Sequence, residues 1–285
     1  MLEPLSEAVL GHPPDALSPF VEGYIGYRSQ GYPPGIHRGL PGRHLTFIIS
    51  LGGPVDIAAM PDRRHPPVAF DAFVSGYHDG PATIVHDGNQ YGVGLDLTPL
   101  GARALLGFPA AEVAGIVVDL EDVFGRGAER LVDQLASAPA WTDRFAILDS
   151  VLLRALSSKP SRRSAVPRPE VMRAWDRLLA SRGTVDVRSL AAEVGWSRRH
   201  LAEQFRAEIG LAPKAVARVL RFDRSKQLLK RPAADRPSLA SVAGAAGYYD
   251  QAHLNRDWRD LAGCSPTTWM AEELPVVDLA EPVGT

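Results

Sequence analysis

Between His44 and Leu97 the chain runs through short stretches of apolar and polar alternation, each cut by turn chemistry: HLTFIISL (44–51), GGP, VDIAAM (55–60), VAFDAFV (68–74), TIVHD (83–87) and YGVGLDL (91–97). Runs of this length, rich in β-branched and aromatic residues, predict strands. His78-Asp79-Gly80 and Asp87-Gly88-Asn89 read as tight turns that join antiparallel neighbours. At Thr98 the period changes. Thr98 followed by Pro99 is an N-cap with proline at the first helical position, LGARALL supplies a helix, and Gly107 fits its stop. Two more helical patterns follow at about 128–136 and 142–156, the second carrying Phe145, Leu148, Leu152 and Leu156 on one stripe. Residues 1–156 therefore read as an α+β domain, an antiparallel β-rich barrel or sheet followed by helices.

The pattern then breaks. SSKPSRRSAVPRP (157–169) has three prolines, four serines and no long apolar run, and reads as a linker. Beyond it, residues 170–274 are helical throughout and contain an internal repeat. SLAAEVGWSRRHLAEQFRAEIGLAP (189–213) aligns with SVAGAAGYYDQAHLNRDWRDLAGCSP (241–266). Ala191 matches Ala243, Gly195 matches Gly247 and Trp196 matches Tyr248. After one inserted residue in the second copy, His200-Leu201 matches His253-Leu254, Phe205 matches Trp258, and Gly210 and Pro213 match Gly263 and Pro266.

Each copy has the grammar of a helix-turn-helix: a small residue where helices cross, a glycine for the turn, and a capping residue, Ser197 or Asp250, that opens the second helix. The faces left outside show Arg198, Arg199, Ala202 and Glu203 in the first copy, and Gln251, Ala252, Asn255 and Arg256 in the second. Arginine pairs with guanine and Gln or Asn with adenine, so Arg198, Arg199, Ala202, Gln251, Ala252, Asn255 and Arg256 are expected at base edges. Ser197, Arg206, Arg218, Arg221, Arg259 and Thr267 are expected at phosphates. PKAVARVLRFDRSKQLLK (213–230) joins the copies with no internal Gly or Pro and reads as one helix, roughly 27 Å long at about 1.5 Å per residue. A strut of that size suits two heads entering successive major grooves. The last residues, 275–285, read as a flexible tail.

Charge sharpens this division. Residues 1–159 carry 11 Lys+Arg against 18 Asp+Glu, residues 160–271 carry 20 against 11, and residues 272–285 carry none against 4, so a formal −2 conceals a +9 block. Local positive charge is what duplex binding needs. The single cysteine, Cys264, excludes an internal disulfide and a multi-thiolate zinc site. No apolar run is long enough for a membrane span, and the N-terminus lacks a basic segment ahead of an apolar one, so a cytoplasmic protein is expected.

The N-terminal half holds His12, His37, His44, His65, His78 and His86, which raises a metal-dependent, cupin-like enzyme as an alternative. Neither a His-x-His pair with a following Glu nor His-Glu-x-x-His occurs, and Ser50 and Ser75 stand outside any Gly-x-Ser-x-Gly elbow. No catalytic residue, metal or cofactor is assigned. A small organic effector is expected to meet Phe47, Tyr77, His78, His86 and Tyr91. A further alternative is a protein-interaction module whose basic half binds an acidic partner.

The stretch from about Val185 to Leu274 resembles the AraC/XylS-type transcription regulators, on SLAAEVGWSRRHLAEQF for the first unit and GYYDQAHLNRDW, GCSP and Trp269 for the second. HRGLPGRHLTFIISL and GVGLDLTPLGARALLG are similar to the sensory domain of one subgroup. The resemblance implies a sequence-specific regulator, more often an activator than a repressor, that contacts RNA polymerase, and an N-terminal domain that binds an effector or forms a homodimer. Two residues depart from the family pattern. Tyr249 precedes Asp250 where relatives often have a small residue, and Glu203 puts a carboxylate on the first reading face, unfavourable near phosphates unless it accepts from a cytosine amine or pairs with Arg199 or Arg206.

Overall fold

The computed structural model describes residues 4–157 and 167–272. Most of the expected linker (158–166) and all of the expected tail (275–285) lie outside the described residues. Two antiparallel sheets build the N-terminal part. The larger contains β1 (Leu5–Gly11), β2 (Val21–Gln30), β4 (Leu45–Ser50), β7 (Ala72–Ser75), β9 (Gln90–Leu97) and β10 (Val117–Asp119), in the order β1-β2-β9-β4-β7-β10. The smaller contains β3 (Gly35–Gly39), β5 (Val55–Ala59), β6 (Val68–Phe70) and β8 (Ala82–His86), in the order β3-β8-β5-β6.

Strand alternation gives the larger sheet two apolar faces. Ile48 and Phe73 meet Ile57 and Ile84 of the smaller sheet. Phe47, Ile49, Val74, Val93 and Leu95 point the other way, into a core shared with the helices. The stretch 68–74 divides at Asp71, where the chain passes from one sheet to the other.

The two turns expected to close hairpins do something different. Residues 78–80 link β7 to β8 and residues 87–89 link β8 to β9, and in both cases the partners belong to different sheets. The local turn chemistry is present nonetheless: Asn89 N–H donates to Asp87 Oδ1 at 2.9 Å, and Gly88 takes φ +98. A Cβ on Gly88 would lie 1.7 Å from the Tyr32 carbonyl oxygen, so the turn is pressed against the loop ahead of β3. Strands β1, β2, β3 and β10 were not expected from the sequence pattern. In β2 the glycines obscure it, and Gly26 is needed because a Cβ there would come within 2.2 Å of the Trp141 ring.

Thr98 caps the first helix as expected, its Oγ1 accepting from Gly101 N–H at 3.1 Å. The helix, α1 (Pro99–Gly101), widens into a π-helical turn over Ala102–Leu106 before Gly107 ends it at φ +80. A 3-10 turn at Ala110–Val113 follows, then α2 (Leu120–Phe124), α3 (Gly127–Ser137) and α4 (Trp141–Ser157). From α4, Phe145 stacks on Tyr24 at 5.7 Å, and Asp149 accepts the Tyr24 hydroxyl at 2.7 Å.

The C-terminal part is all helical: α5 (Pro169–Ala180), α6 (Val187–Glu193), α7 (Arg198–Ile209), α8 (Pro213–Leu229), α9 (Leu239–Ala246), α10 (Gln251–Ala262) and α11 (Pro266–Glu272). The segment expected as one helix between the repeats is α8, and it serves two cores. Val216, Ala217 and Leu220 join the cluster of α5, α6 and α7, while Val219, Phe222, Leu228 and Leu229 join that of α9, α10 and Trp269.

The first of those clusters continues into the N-terminal part. Tyr77 lies 5.3 Å from Trp175, which lies 6.3 Å from Phe205. Arg103 grips Glu208 with two bonds, Nε to Oε1 and Nη2 to Oε2, both 2.5 Å, with the side chains only 17% and 8% exposed. Beside this pair Gly210, at φ +93, rests on the 3-10 turn, where a Cβ would stand 2.2 Å from the Ala114 Cβ. Removing one partner of a shielded bidentate pair leaves the other charge unpaired. Arg103→Ala should therefore lower stability by about 3 kcal/mol in urea unfolding. The Arg103→Ala, Glu208→Ala double variant should lose clearly less than the sum of the single losses.

Candidate nucleic-acid interface

The two helix-turn-helix units share the bonds of their turn, although the second holds one extra residue, Tyr249. Gly195 (φ +74) and Gly247 (φ +84) let the chain reverse. Trp196 N–H then donates to the Ala191 carbonyl at 2.9 Å, and Tyr248 N–H donates to that of Ala243 at the same distance. Ser197 Oγ accepts from His200 N–H at 3.1 Å and Asp250 Oδ1 from His253 N–H at 2.7 Å. Each His ring then meets its turn aromatic edge-on, Trp196 at 4.6 Å and Tyr248 at 5.1 Å. Leu201 with Phe205, and Leu254 with Trp258, face inward and are fully buried.

On the outer faces, Ser197, Arg198, Arg199 and Glu203 are exposed and Ala202 is half-buried. Arg199 Nε pairs with Glu203 Oε1 at 2.8 Å, with both side chains in solvent, where such a pair is worth little and opens readily. In the second unit Gln251, Ala252 and Arg256 are exposed, and so are Arg206, Arg259 and Thr267 from the phosphate set. Asn255 is half-buried, and its Oδ1 is shut away from solvent without a hydrogen-bond partner.

Arg218 and Arg221, expected at phosphates, are half-buried and engaged within the protein. Arg218 Nε donates to Asp257 Oδ1 at 2.7 Å and its Nη2 to Asp260, which ties α8 to α10. Arg221 Nη1 donates to the Gly183 carbonyl at 2.9 Å, with its guanidinium 5.7 Å from the Tyr248 ring centre. Both hold helices together.

The residues expected around an effector do not gather either. Phe47 packs on Phe124, on the helical side of the larger sheet. Tyr77 is buried against Trp175, and Tyr91 lies edge-on to Trp141. On β8, His86 Nδ1 accepts from Gly88 N–H at 3.1 Å. His78 is buried, donates from Nδ1 to the Gly80 carbonyl at 2.5 Å, and burial pulls its pKa down to about 4.

Of these five, His78 alone lines a polar cavity of about 290 Å³ at the seam between β4, β7 and α8. Arg43, His44, Asp96, Asp223, Lys226 and Lys230 supply its charged walls. Lys226 Nζ pairs with Asp223 Oδ1 at 2.9 Å, and His44 stands between Glu22 and Asp96. Burial pushes the His44 pKa down, but its bonds to Asp96 and Glu22 outweigh that and raise it to about 9. The strand pattern gave no sign of this cluster, whose members stand some 180 residues apart in sequence. Among the described residues, no group of three or more His, Cys, Asp or Glu side chains is placed to hold a metal ion. The Ser50 hydroxyl donates to the Gly53 carbonyl at 2.5 Å.

Two expectations follow. Arg218→Ala should cost about 3 kcal/mol of stability, because Asp257 is left buried and unpaired, while the salt slope of duplex binding stays as it is. Arg259→Ala should do the opposite, sparing thermal stability and flattening the slope by about 0.9. His44 carries the second. The folded protein holds a proton that the unfolded chain releases near pH 6.5, so this stabilisation is complete below that pH and is lost as pH rises through about 9. Unfolding free energy should fall by up to about 3 kcal/mol across that window, and His44→Gln should flatten the profile.

A helix-turn-helix domain family model matches residues 190–272. Among solved structures, ToxT from Vibrio cholerae O395, bound to (E)-4-(8-methylnaphthalen-1-yl)but-3-enoic acid, is similar with a TM-score of 0.54 at 9% identity, over 94% of this chain and 98% of ToxT. The DNA-binding domain of AdpA, in complex with a target DNA, is 25% identical over 37% of this chain and 97% of its own, with a TM-score of 0.33. A transcriptional regulator with an AraC-type DNA-binding domain from Chromobacterium violaceum is 23% identical over 40% of this chain and 95% of its own, also with a TM-score of 0.33. No curated protein matches the sequence. The ToxT likeness is one of fold and spans both parts, β sheets first and helices after. The chain thus carries a helix-turn-helix domain at residues 190–272, set behind an N-terminal domain of antiparallel β sheets.

Proposed function

We propose that the protein is a sequence-specific, DNA-binding transcription regulator that reads two successive major grooves through α7 and α10. The observation that carries this is the pair of equivalent units on one shared helix, each presenting an exposed polar face at the start of its second helix. Arg198 and Arg199 of one and Gln251, Ala252 and Arg256 of the other are the base-reading set, with Ala202 and Asn255 at its margins. Ser197, Arg206, Arg259 and Thr267 hold the phosphates. α8 is about 26 Å long at about 1.5 Å per residue, a length suited to the duplex repeat of about 34 Å.

The reading extends to an effector-responsive activator, working in the cytoplasm and touching RNA polymerase through the helical domain. The cavity at the seam is the effector site we propose. Arg43, His44, Lys226 and Lys230 outnumber Asp96 and Asp223 on its walls, a balance that favours an anionic ligand able to share the cations that now pair with Glu22, Asp96 and Asp223, and a volume of about 290 Å³ suits a small organic acid. ToxT, a fold neighbour over nearly the whole chain, has been solved bound to an unsaturated fatty acid and to a substituted butenoic acid. A ligand there would touch β4 and α8 together, so it would shift any equilibrium in which those elements separate. The exposed strand pair at Ile36 and Val85 is where we place a homodimer contact.

Gel shifts at fixed salt test the DNA reading. Arg198→Ala, Gln251→Ala and Arg256→Ala should each weaken binding to a selected duplex by roughly 1–3 kcal/mol without loss of helix content. Full affinity in all three variants, or equal binding to selected and random duplexes, would refute it. The second outcome would favour a basic module that binds acidic partners.

A further inference from the structure

Tyr249 is 94% exposed, far beyond any other exposed large hydrophobic side chain among the described residues. One exposed aromatic ring is ordinary on its own, but this one stands on the approach to the exposed polar face of α10, where its apolar area is open to a partner. The local backbone does not require it. In the first unit the turn aromatic, Trp196, is followed at once by the cap Ser197. In the second, Tyr249 stands between Tyr248 and the cap Asp250, yet the turn bond, the cap bond and the edge-on histidine are the same in both. Tyr249 is therefore an added residue that the turn does not need, carried on the approach to α10.

Its position gives it a use. Tyr249, Asp250, Ala252, His253 and Arg256 line one shallow concavity at the N-terminal end of α10, beside the exposed Gln251. The phenol ring and the Ala252 methyl make an apolar wall, and Arg256 makes a cationic one. Asp250, committed to the cap, adds a carboxylate that disfavours a phosphate inside the hollow. An apolar wall beside a guanidinium, on a face continuous with the proposed base-reading residues, fits a thymine 5-methyl group next to a base or backbone acceptor.

We infer that Tyr249 is a specificity-determining residue, whose ring closes with Ala252 on a thymine methyl in the major groove while Arg256 engages the neighbouring acceptor. This rests on the DNA-reading function proposed above and names one base feature that the second unit reads. The ring is the working part; the hydroxyl is not needed.

The test uses the full chain and a duplex that it selects from a random-sequence library, remade with uracil in place of each thymine in turn. For the wild type, one uracil position in the half contacted by α10 should weaken binding by about four-fold, the worth of one buried methyl. Tyr249→Ala should bind the thymine duplex more weakly and lose that penalty, while Tyr249→Phe should behave as the wild type. Uniform tolerance of uracil, or a penalty unchanged in Tyr249→Ala, overturns the inference while leaving sequence-specific binding intact. So does a Phe variant as impaired as the Ala variant, since the hydroxyl would then be the contact. Selection of no consensus by the wild type would instead remove the DNA-reading function on which the inference stands.

Discussion

The helical domain depends on α8 being buried along two faces at once. Val216, Ala217 and Leu220 belong to one core, and Val219, Phe222, Leu228 and Leu229 to another, so neither helix-turn-helix unit is complete without the same rod. A unit of two short helices buries too little apolar surface to stand alone, and sharing a long helix supplies the missing wall to both. It also fixes their relative orientation, since side chains three or four apart on a helix cannot turn independently. Ion pairs from Arg218 to Asp257 and Asp260, and the bond from Arg221 to the Gly183 carbonyl, fasten the outer helices to the rod. Arg218 and Arg221 thus help to hold the units on the rod.

The two units differ in how they meet the rest of the molecule. The first is continuous with the N-terminal core through Tyr77, Trp175 and Phe205, and the C-terminal end of α7 is held by Arg103 and by the seat of Gly210 on the 3-10 turn. The N-terminal end of the same helix, with Arg198 and Arg199, remains in solvent. The second unit meets the N-terminal domain more sparsely, through Leu40 and the Arg38–Glu272 ion pair.

What could be read from the sequence was what is local. The repeat was legible because small crossing residues, turn glycines, caps and inward aromatics all fall within about 25 residues of one another, and each recurs at the same place. Strands β4 to β9 were legible from alternation, and Thr98 from its proline. The roles of Arg218 and Arg221 were not, because a helical face shows which side chains share a direction and says nothing of the carboxylates another helix brings to meet them. The sheet crossings at 78–80 and 87–89 were hidden for the same reason: turn chemistry specifies a reversal, while strand partnership is decided across the sheet. Tyr77 and Phe47 looked like pocket residues because an aromatic on a strand can face a ligand or a core. Only packing against Trp175 and Phe124 decides between them.

The most direct test of the account is hydroxyl-radical footprinting of the full chain on a duplex selected by it, combined with guanine N7 methylation interference. Two tandem units fixed on one rod should protect two backbone stretches about 10 base pairs apart on the same face, each flanking major-groove guanines whose methylation blocks binding. A single protected stretch, or two on opposite faces of the duplex, would contradict the claim that α8 spaces two reading heads for consecutive turns of DNA.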